Sequence, residues 1–285
     1  MNDYSVFIPV ALPSSGPELL RVARLLAPPE RLRITALHCW TDREFRSEAF
    51  EHRHGGVVAS PLLPLLKSAE DVQVDALCFV SSDIGQDILS TAAERLADLI
   101  VMGWHGPMVT DNETPGPMHA VLESAACDVA ILLPRQFREI RRVLVPFYGG
   151  MHDRRAVDMA VRMAAMPGLR VTVLHVVPPP SPESSHAGLR ARLVDDVSNG
   201  RVRVKLVEDD DPVNAIIREA WMGYDLLVAG ASETWGIDST LFSEPLRRLA
   251  FATPASLLVV RAGDSVPADR RAKRGAPQGR AELAT

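Results

Sequence analysis

Short, continuously apolar segments alternate with amphipathic stretches along the first half of the chain. A strand that is half exposed alternates apolar and polar residues, whereas a strand buried on both faces of a parallel sheet does not. The strand candidates lie near residues 5–10, 33–39, 74–80, 98–103 and 128–133. The helix candidates lie at 17–26, 87–96 and 118–126. This alternation predicts a doubly wound α/β fold.

The second half of the chain repeats this pattern. The first strand ends at Pro9, and a similar strand ends at Pro146, an offset of 137 (146 − 9). The second strand contains Leu-His ending at His38, and Leu-His recurs at His175 with the same offset of 137 (175 − 38). Two matches in one register indicate an internal duplication.

Later matches have a shorter offset. The segment ending at Gly103 corresponds to one ending at Gly230, and 126–133 corresponds to 253–260, both with an offset of 127 (230 − 103, 253 − 126). The first copy therefore contains ten more residues than the second between His38 and Gly103 (137 − 127).

The duplication predicts two doubly wound parallel-sheet sandwiches in tandem. We expect a first domain over 1–135, a linker over 136–141 that begins after Pro134, and a second domain over 142–262. Residues 263–285 are mostly small, charged or proline and predict a disordered tail. The two sheets are expected to remain separate and to pack on each other. This intramolecular pairing would replace the homodimer that a single copy would form, because the apolar last strands would otherwise be open edges.

Composition excludes several classes of function. The 285 residues are 47% hydrophobic and 24% charged, with a formal net charge of −5, so no overall positive field favours nucleic acid. Three cysteines without CxxC pairs predict neither a disulfide scaffold nor a zinc site. The chain shows no signal peptide and no segment long enough to insert in a membrane, so we expect a cytoplasmic protein.

A glycine-rich loop follows the fourth strand. Gly103 and Gly106 are separated by two residues, and Gly116 follows after nine more, just before a predicted helix. Glycines let backbone N–H groups approach an anion closely, and a helix N-terminus attracts negative charge. The same glycines could equally form a tight turn with no ligand.

This G-x2-G-x9-G loop, together with the strand ending at Pro9 and the Leu-His of the second strand, resembles the universal stress protein family. The resemblance implies the strand order 3-2-1-4-5 in each copy and, in members that bind ATP, an adenine nucleotide between strands 1 and 4. The cofactor would then be ATP or another adenine nucleotide. The implied contacts are the three loop glycines around the phosphates and Val10, Ala11, His38 and Cys39 near the base.

Copy one departs from the nucleotide-binding members at two positions. Ala11 stands where those members have Asp, and Tyr148 stands there in copy two. Pro117 replaces the Ser or Thr after the third glycine and lacks a backbone N–H. We therefore expect an affinity that is roughly micromolar or weaker.

Copy two departs further from the glycine pattern. With the offset of 127, Glu233, Ser243 and Glu244 replace Gly106, Gly116 and Pro117, and the two carboxylates would repel a phosphate. Residues 148–153 resemble the Ser-Gly-Gly-x-Asp-Ser loop of ATP pyrophosphatases, but they lack both serines and the Asp is displaced.

The sequence predicts a binding and signalling module with a role in stress response, without catalytic or metal-ligating residues. The alternative is a regulatory module of a membrane transporter that binds no nucleotide. His38 and His175 are expected to serve the scaffold or to meet the ligand cleft through their backbones, not to act as bases.

Overall fold

The computed structural model describes residues 3–46, 61–105, 116–135, 139–179, 201–231 and 244–263. The first copy contains the strands β1 (Tyr4–Pro9), β2 (Leu32–Trp40), β3 (Val74–Val80), β4 (Leu99–Gly103) and β5 (Asp128–Leu133). Its helices include α1 (Gly16–Arg24), α2 (Leu63–Lys67), α3 (Ile84–Glu94) and α4 (Pro117–Ser124). The strands agree with their predicted positions to within one residue. Of the predicted tail over 263–285, the structure describes Gly263, which is buried. Residues 264–285 lie outside the described residues, so their predicted disorder stays a prediction.

The second copy has the same succession of elements. Its strands are β6 (Arg142–Pro146), β7 (Arg170–Val177), β8 (Val202–Glu208), β9 (Leu226–Gly230) and β10 (Ser256–Arg261). Its helices include α5 (Met151–Ala164), α6 (Pro212–Ala220) and α7 (Glu244–Ala252). No helix in the described ranges combines the length and the apolar character needed to cross a membrane.

The ten strands form one continuous sheet in the order β3-β2-β1-β4-β5-β10-β9-β6-β7-β8. Strands within a copy are parallel and follow the order 3-2-1-4-5, which confirms the doubly wound prediction. At the centre β5 pairs antiparallel with β10, with Ile131 opposite Val259. The expectation of two separate sheets is therefore wrong. Edge-to-edge pairing of the apolar last strands satisfies backbone groups that packing alone would leave open.

The register of the last strands corrects one predicted offset. Leu99 of β4 faces Asp128 of β5, and Leu226 of β9 faces Ser256 of β10. The residues of the fourth strands, Leu99 and Leu226, differ by 127 (226 − 99). The residues of the last strands, Asp128 and Ser256, differ by 128 (256 − 128). The offset of 127 for the last strand is therefore wrong by one residue, which copy two gains between its fourth and fifth strands.

Apolar layers cover both faces of the sheet. Helices α1 and α5 pack on one face, where Leu20 and Met163 are fully buried. Helices α3, α4, α6 and α7 pack on the other face through residues such as Ile88, Ile216 and Leu249. This two-sided cover explains why most of the strands are continuously apolar.

Strand β3 is an exception to the expectation of burial on both faces. Five of its seven residues are exposed, including Phe79 and Val80. It lies at the outer edge of the sheet, where a strand has a neighbour on one side only. The apolar pattern predicted the strand but not its exposure, whereas the strand order 3-2-1-4-5 that the resemblance implies places it at the edge.

Helix α3 begins at Ile84, three residues before the predicted start at Asp87. Asp83 is its N-cap, and the carboxylate accepts a hydrogen bond of 3.0 Å from the backbone N–H of Gln86. Such a cap satisfies a donor that has no partner within the helix, so it fixes the first turn.

Helix α5 of copy two also contacts copy one. Arg155 forms an ion pair with Asp128 at 3.2 Å, and the guanidinium of Arg162 lies 4.9 Å from the centre of the Tyr4 ring. Beyond β10, the N–H of Gly263 donates to Asp128 at 2.9 Å. The two copies are therefore joined through the sheet and through side chains beside it.

Candidate functional site

The strand order reverses between β1 and β4 in copy one and between β6 and β9 in copy two. In open α/β sheets, ligands bind beyond the carboxyl ends of the strands at such a reversal. The structure brings five predicted residues to this edge of copy one, namely Val10, Ala11, His38, Cys39 and Gly103.

His38 ties the ends of β1 and β2 together. Its Nδ1 donates to the backbone oxygen of Val10 at 2.7 Å, and the ring is buried. In copy two, Nδ1 of His175 donates to the backbone oxygen of Phe147 at 2.6 Å, so the same bond recurs at the offset of 137 (147 − 10). A carbonyl can only accept, so both imidazoles carry their proton on Nδ1. This geometry gives both histidines a scaffold role.

Gly103 ends β4 beneath another imidazole. A Cβ placed on Gly103 would lie 2.8 Å from Nε2 of His105 and 3.6 Å from the Cβ of Ser15. Desolvation lowers the pKa of His105, which favours the neutral ring. The chain's own side chains therefore cover this glycine, and the covering group offers little positive charge to a phosphate.

The Cys39 thiol is partly buried beside the predicted base position. Burial raises its pKa to about 11, with smaller contributions from Asp87 and Cys78. The thiol is therefore protonated at neutral pH and is a poor nucleophile. Ala11 is exposed just after β1.

Gly116 is the N-cap of α4, followed by Pro117 at the first helical position. Its φ of −77° is available to any residue, and nothing lies within 4 Å of a Cβ placed there. Gly116 therefore provides open space next to a helix start, not a left-handed turn. Gly106 lies outside the described residues.

In copy two, a carboxylate closes the edge of the sheet. Asp153 lies in the first turn of α5 and is only 6% exposed. Its Oδ2 accepts hydrogen bonds from the backbone N–H groups of Tyr148, at 2.9 Å, and Gly150, at 3.3 Å. Burial raises the pKa of Asp153, and the backbone hydrogen bonds oppose this shift. The carboxylate thus occupies a cradle of N–H groups of the kind that binds anions.

The start of α5 also packs directly on the ends of β9 and β10. A Cβ placed on Gly230 would lie 2.5 Å from both the backbone nitrogen and Oδ1 of Asp153. Nearby, the backbone N–H of Ala262 donates to Nδ1 of His152 at 2.9 Å. Glycine at 230 is required here because α5 approaches the strand so closely.

Copy one has no equivalent of this carboxylate. The offset of 137 places Gly16 at the position of Asp153 (153 − 137). A Cβ on Gly16 would meet the Cβ of Leu65 at 2.9 Å, so α1 approaches α2 closely there. The two copies therefore carry different groups at the carboxyl ends of their own strands, which lie at opposite edges of the shared sheet.

Of the residues that the sequence predicted to oppose a phosphate in copy two, the structure describes Glu244 alone. Glu233 and Ser243 lie outside the described residues, whereas Glu244 begins α7 and pairs with Arg247 at 2.9 Å. Within the part of the chain that the structure describes, no group of three His, Cys, Asp or Glu residues could hold a metal ion.

Sequence comparison identifies the second copy directly. The model of the universal stress protein family matches residues 139–261. These residues belong to the universal stress protein family. The first copy has the same strand order and the same His-to-carbonyl bond, so the chain contains two universal stress protein-like folds.

Solved structures show this fold over nearly the whole chain. A universal stress protein from Archaeoglobus fulgidus DSM 4304 matches with a TM-score of 0.60 and 12% identity, over 92% of this chain and 98% of that one. The cytoplasmic domain of a prokaryotic cation chloride cotransporter matches with a TM-score of 0.56 and 9% identity, over 93% of this chain and 98% of that one. At these identities the likeness concerns the tandem fold alone.

Two relatives from Arabidopsis thaliana are similar in sequence. Cation/H(+) antiporter 17 is 29% identical over 153 residues, which cover 48% of this chain and 18% of the antiporter. Cation/H(+) symporter 13 is 34% identical over 111 residues, which cover 33% of this chain and 13% of the symporter. The chain therefore matches less than a fifth of the length of either relative.

Proposed function

We propose that this universal stress protein-like chain is a regulatory module that acts on a cation transporter through protein contacts. The observation that carries this proposal is the sequence similarity to cation/H(+) antiporters, at 29% identity over 153 residues. Sequence similarity is needed because the fold alone serves many functions. The module would lie on the cytoplasmic side of the membrane.

The chemistry at the edge of the sheet supports a module without enzymatic turnover. Nδ1 of His38 is committed to a backbone carbonyl, and the thiol of Cys39 is protonated. The carboxylate of Asp153 is buried and accepts backbone hydrogen bonds. Within the described residues, the imidazole and the carboxylate are therefore engaged by backbone groups and the thiol is protonated, so none of the three is an activated nucleophile.

Cation-driven proton flux tests this proposal. The gene for this chain is deleted, and flux driven by K⁺ and by Na⁺ is measured in inverted membrane vesicles from the mutant and parent cells. We expect a changed flux that purified wild-type chain restores. Identical flux in both preparations would contradict the proposal.

A second candidate function is the binding of an adenine nucleotide by copy one. It is favoured by the absence of a carboxylate at Gly16, where copy two has Asp153, and by the open space at Gly116. Copy one can therefore accept negative charge at an edge where copy two already holds it.

Calorimetry with ATP, AMP and a cyclic dinucleotide tests the second candidate. Gly106→Glu places a carboxylate in the loop of copy one, and Ser243→Glu adds one to the loop of copy two, at the position that aligns with Gly116. Binding that is lost in the first variant and kept in the second supports a site in copy one. The reverse pattern would move the site to copy two, and the absence of heat with every ligand would reject the candidate.

A further inference from the structure

Three large apolar side chains are exposed together at one end of copy two. Trp221 and Met222 follow α6, Phe251 lies in the last turn of α7, and the three are 65%, 66% and 66% exposed. Nε1 of Trp221 donates to the backbone oxygen of Ala252 at 3.0 Å, which joins the two helix ends. The only polar group of the indole is thus satisfied within the protein, and the exposed remainder is apolar. We call Trp221, Met222 and Phe251 the copy-two patch.

The fold does not require this patch, because copy one lacks it. Leu96 precedes β4 and Gly223 precedes β9, and both have positive φ, so the two turns can be aligned at these residues. Glu94 and Arg95 of copy one then correspond to Trp221 and Met222. Ser124, the last residue of α4, corresponds to Phe251 at the offset of 127 (251 − 124). The same positions of the scaffold therefore carry polar side chains in one copy and exposed apolar side chains in the other.

Two guanidinium groups border the copy-two patch. Arg142 donates to the backbone oxygens of Met222, at 2.7 Å, and Gly223, at 3.1 Å. Arg135 donates to the backbone oxygen of Ala250. The guanidinium of Arg142 also lies 4.6 Å from the centre of the Tyr224 ring. Among the residues that the structure describes, the contacts of these two guanidinium groups are with backbone oxygens and this ring, not with carboxylates, so both keep a net positive charge beside the patch.

The carboxylates of this region are engaged elsewhere. Oδ2 of Asp225 accepts the backbone N–H groups of Arg141 and Arg142 at 2.9 and 2.8 Å. Glu139 pairs with the side chain of Arg141 at 2.7 Å. The border of the patch thus carries two positive charges from Arg135 and Arg142 that these carboxylates do not neutralise by direct contact.

We propose that the copy-two patch binds the surface of an anionic membrane. Tryptophan and other large apolar side chains insert at the boundary between headgroups and acyl chains, and guanidinium groups bind headgroup phosphates. The patch supplies both kinds of group at one end of the molecule. Its setting beside a membrane rests on the proposed function, since the sequence relatives are cation/H(+) antiporters and a symporter.

Vesicle cosedimentation of the full chain tests this proposal. The vesicles are pure phosphatidylcholine, or phosphatidylcholine with about one quarter phosphatidylglycerol. We expect binding to the anionic vesicles that weakens as salt is raised. The triple variant Trp221→Ser, Met222→Ser, Phe251→Ser should bind at least about tenfold more weakly, because it lacks the inserting side chains.

A matched control removes exposed apolar side chains outside the copy-two patch, one after β1 and one after β6. Leu12→Ser combined with Met151→Ser, at positions that are 48% and 60% exposed, should bind like the wild type. Circular dichroism of both variants tests whether they are folded. A Trp221→Phe variant identifies the fluorescence of Trp221, which should shift to shorter wavelength when the wild type binds vesicles.

Three results would overturn the membrane proposal. They are no binding of the wild type to anionic vesicles, equal binding by the triple variant, and self-association that depends on the patch without vesicle binding. The last result would assign the patch to a second copy of the chain. The vesicles contain no transporter, so failure here leaves the proposed function standing, and failure of the flux assay leaves vesicle binding unaffected.

Discussion

The two copies share their scaffold and differ at the edge where a ligand would bind. Asp98 accepts the N–H of Ser5, and at the offset of 127 Asp225 accepts the N–H of Arg142 (225 − 98). The bond from His38 to Val10 is repeated in copy two at almost the same length. Buried polar bonds of this kind are costly to lose, so both copies can keep them while their loops diverge.

The closing groups show this divergence. In copy two, Asp153 fills a cradle of backbone N–H groups and packs on Gly230. In copy one, the ring of His105 covers Gly103, and Gly16 stands in place of the carboxylate. The same scaffold thus carries a buried carboxylate bound by backbone N–H groups in one half and an imidazole side chain beside the strand end in the other.

A charged substitution in the β5–β10 pairing, the central seam where the two copies join, should cause the largest loss of stability. Ile131→Asp places a charge at a fully buried position in the β5–β10 pairing. We expect a loss of more than about 4 kcal/mol in unfolding free energy, because the carboxylate has no partner there. Urea unfolding measures the loss. Leu12→Asp, at an exposed position, should change stability by less than about 0.5 kcal/mol, and equal losses would contradict the central seam.

The glycines at the ends of β4 and β9 should differ in their tolerance of a methyl group. Gly230→Ala brings a Cβ to 2.5 Å from the backbone of Asp153, which can shift only with α5. We expect it to cost about 3 kcal/mol, whereas Gly103→Ala meets only the movable ring of His105 and should cost about 1 kcal/mol. Thermal or urea unfolding measures both losses, and equal costs would show that the two edges are closed alike.

The pH dependence of stability should distinguish Asp153 from an ordinary surface carboxylate. Burial raises its pKa in the folded protein, so its contribution to stability is largest below its unfolded pKa and falls as pH rises through the folded value. The stability of the wild type relative to Asp153→Asn should therefore decrease from about pH 4 upward. Chemical unfolding at several pH values measures this difference. The same trend in Asp158→Asn, at an exposed position, would assign the effect to net charge.

The sequence predicts the strands because burial imposes their apolar pattern directly, and it predicts the duplication because similar segments recur at fixed offsets. The strand order 3-2-1-4-5 is what the resemblance to the universal stress protein family implies. The sequence did not predict the shared sheet. Apolar last strands at Val129 and Leu257 are compatible with packing of two sheets and with pairing of two edges, and only the backbone register distinguishes them. The one additional residue that copy two has before β10 could not be recognised in the sequence, because the apolar residues of the last strands also match at an offset of 127.

Asp153 was missed because the sequence comparison looked two residues beyond the strand proline, where Tyr148 stands. Gly149 has a φ of +103° and turns the chain so that the first turn of α5 comes back to the strand end. Two glycines followed after two residues by Asp could have indicated an acidic residue that reaches back to the start of its own helix. The copy-two patch could not be predicted, because exposure at a helix end depends on tertiary packing.

Hydrogen exchange at single amides tests most directly that Asp153 closes copy two. The N–H groups of Tyr148 and Gly150 donate to Asp153, whereas the N–H of Phe147 donates to the backbone oxygen of Leu174 at 2.9 Å. In Asp153→Ala we expect the first two amides to exchange at least about tenfold faster than in the wild type, with the amide of Phe147 unchanged. If the amides of Tyr148 and Gly150 exchange at the same rates in the variant as in the wild type, the claim that Asp153 closes copy two is contradicted.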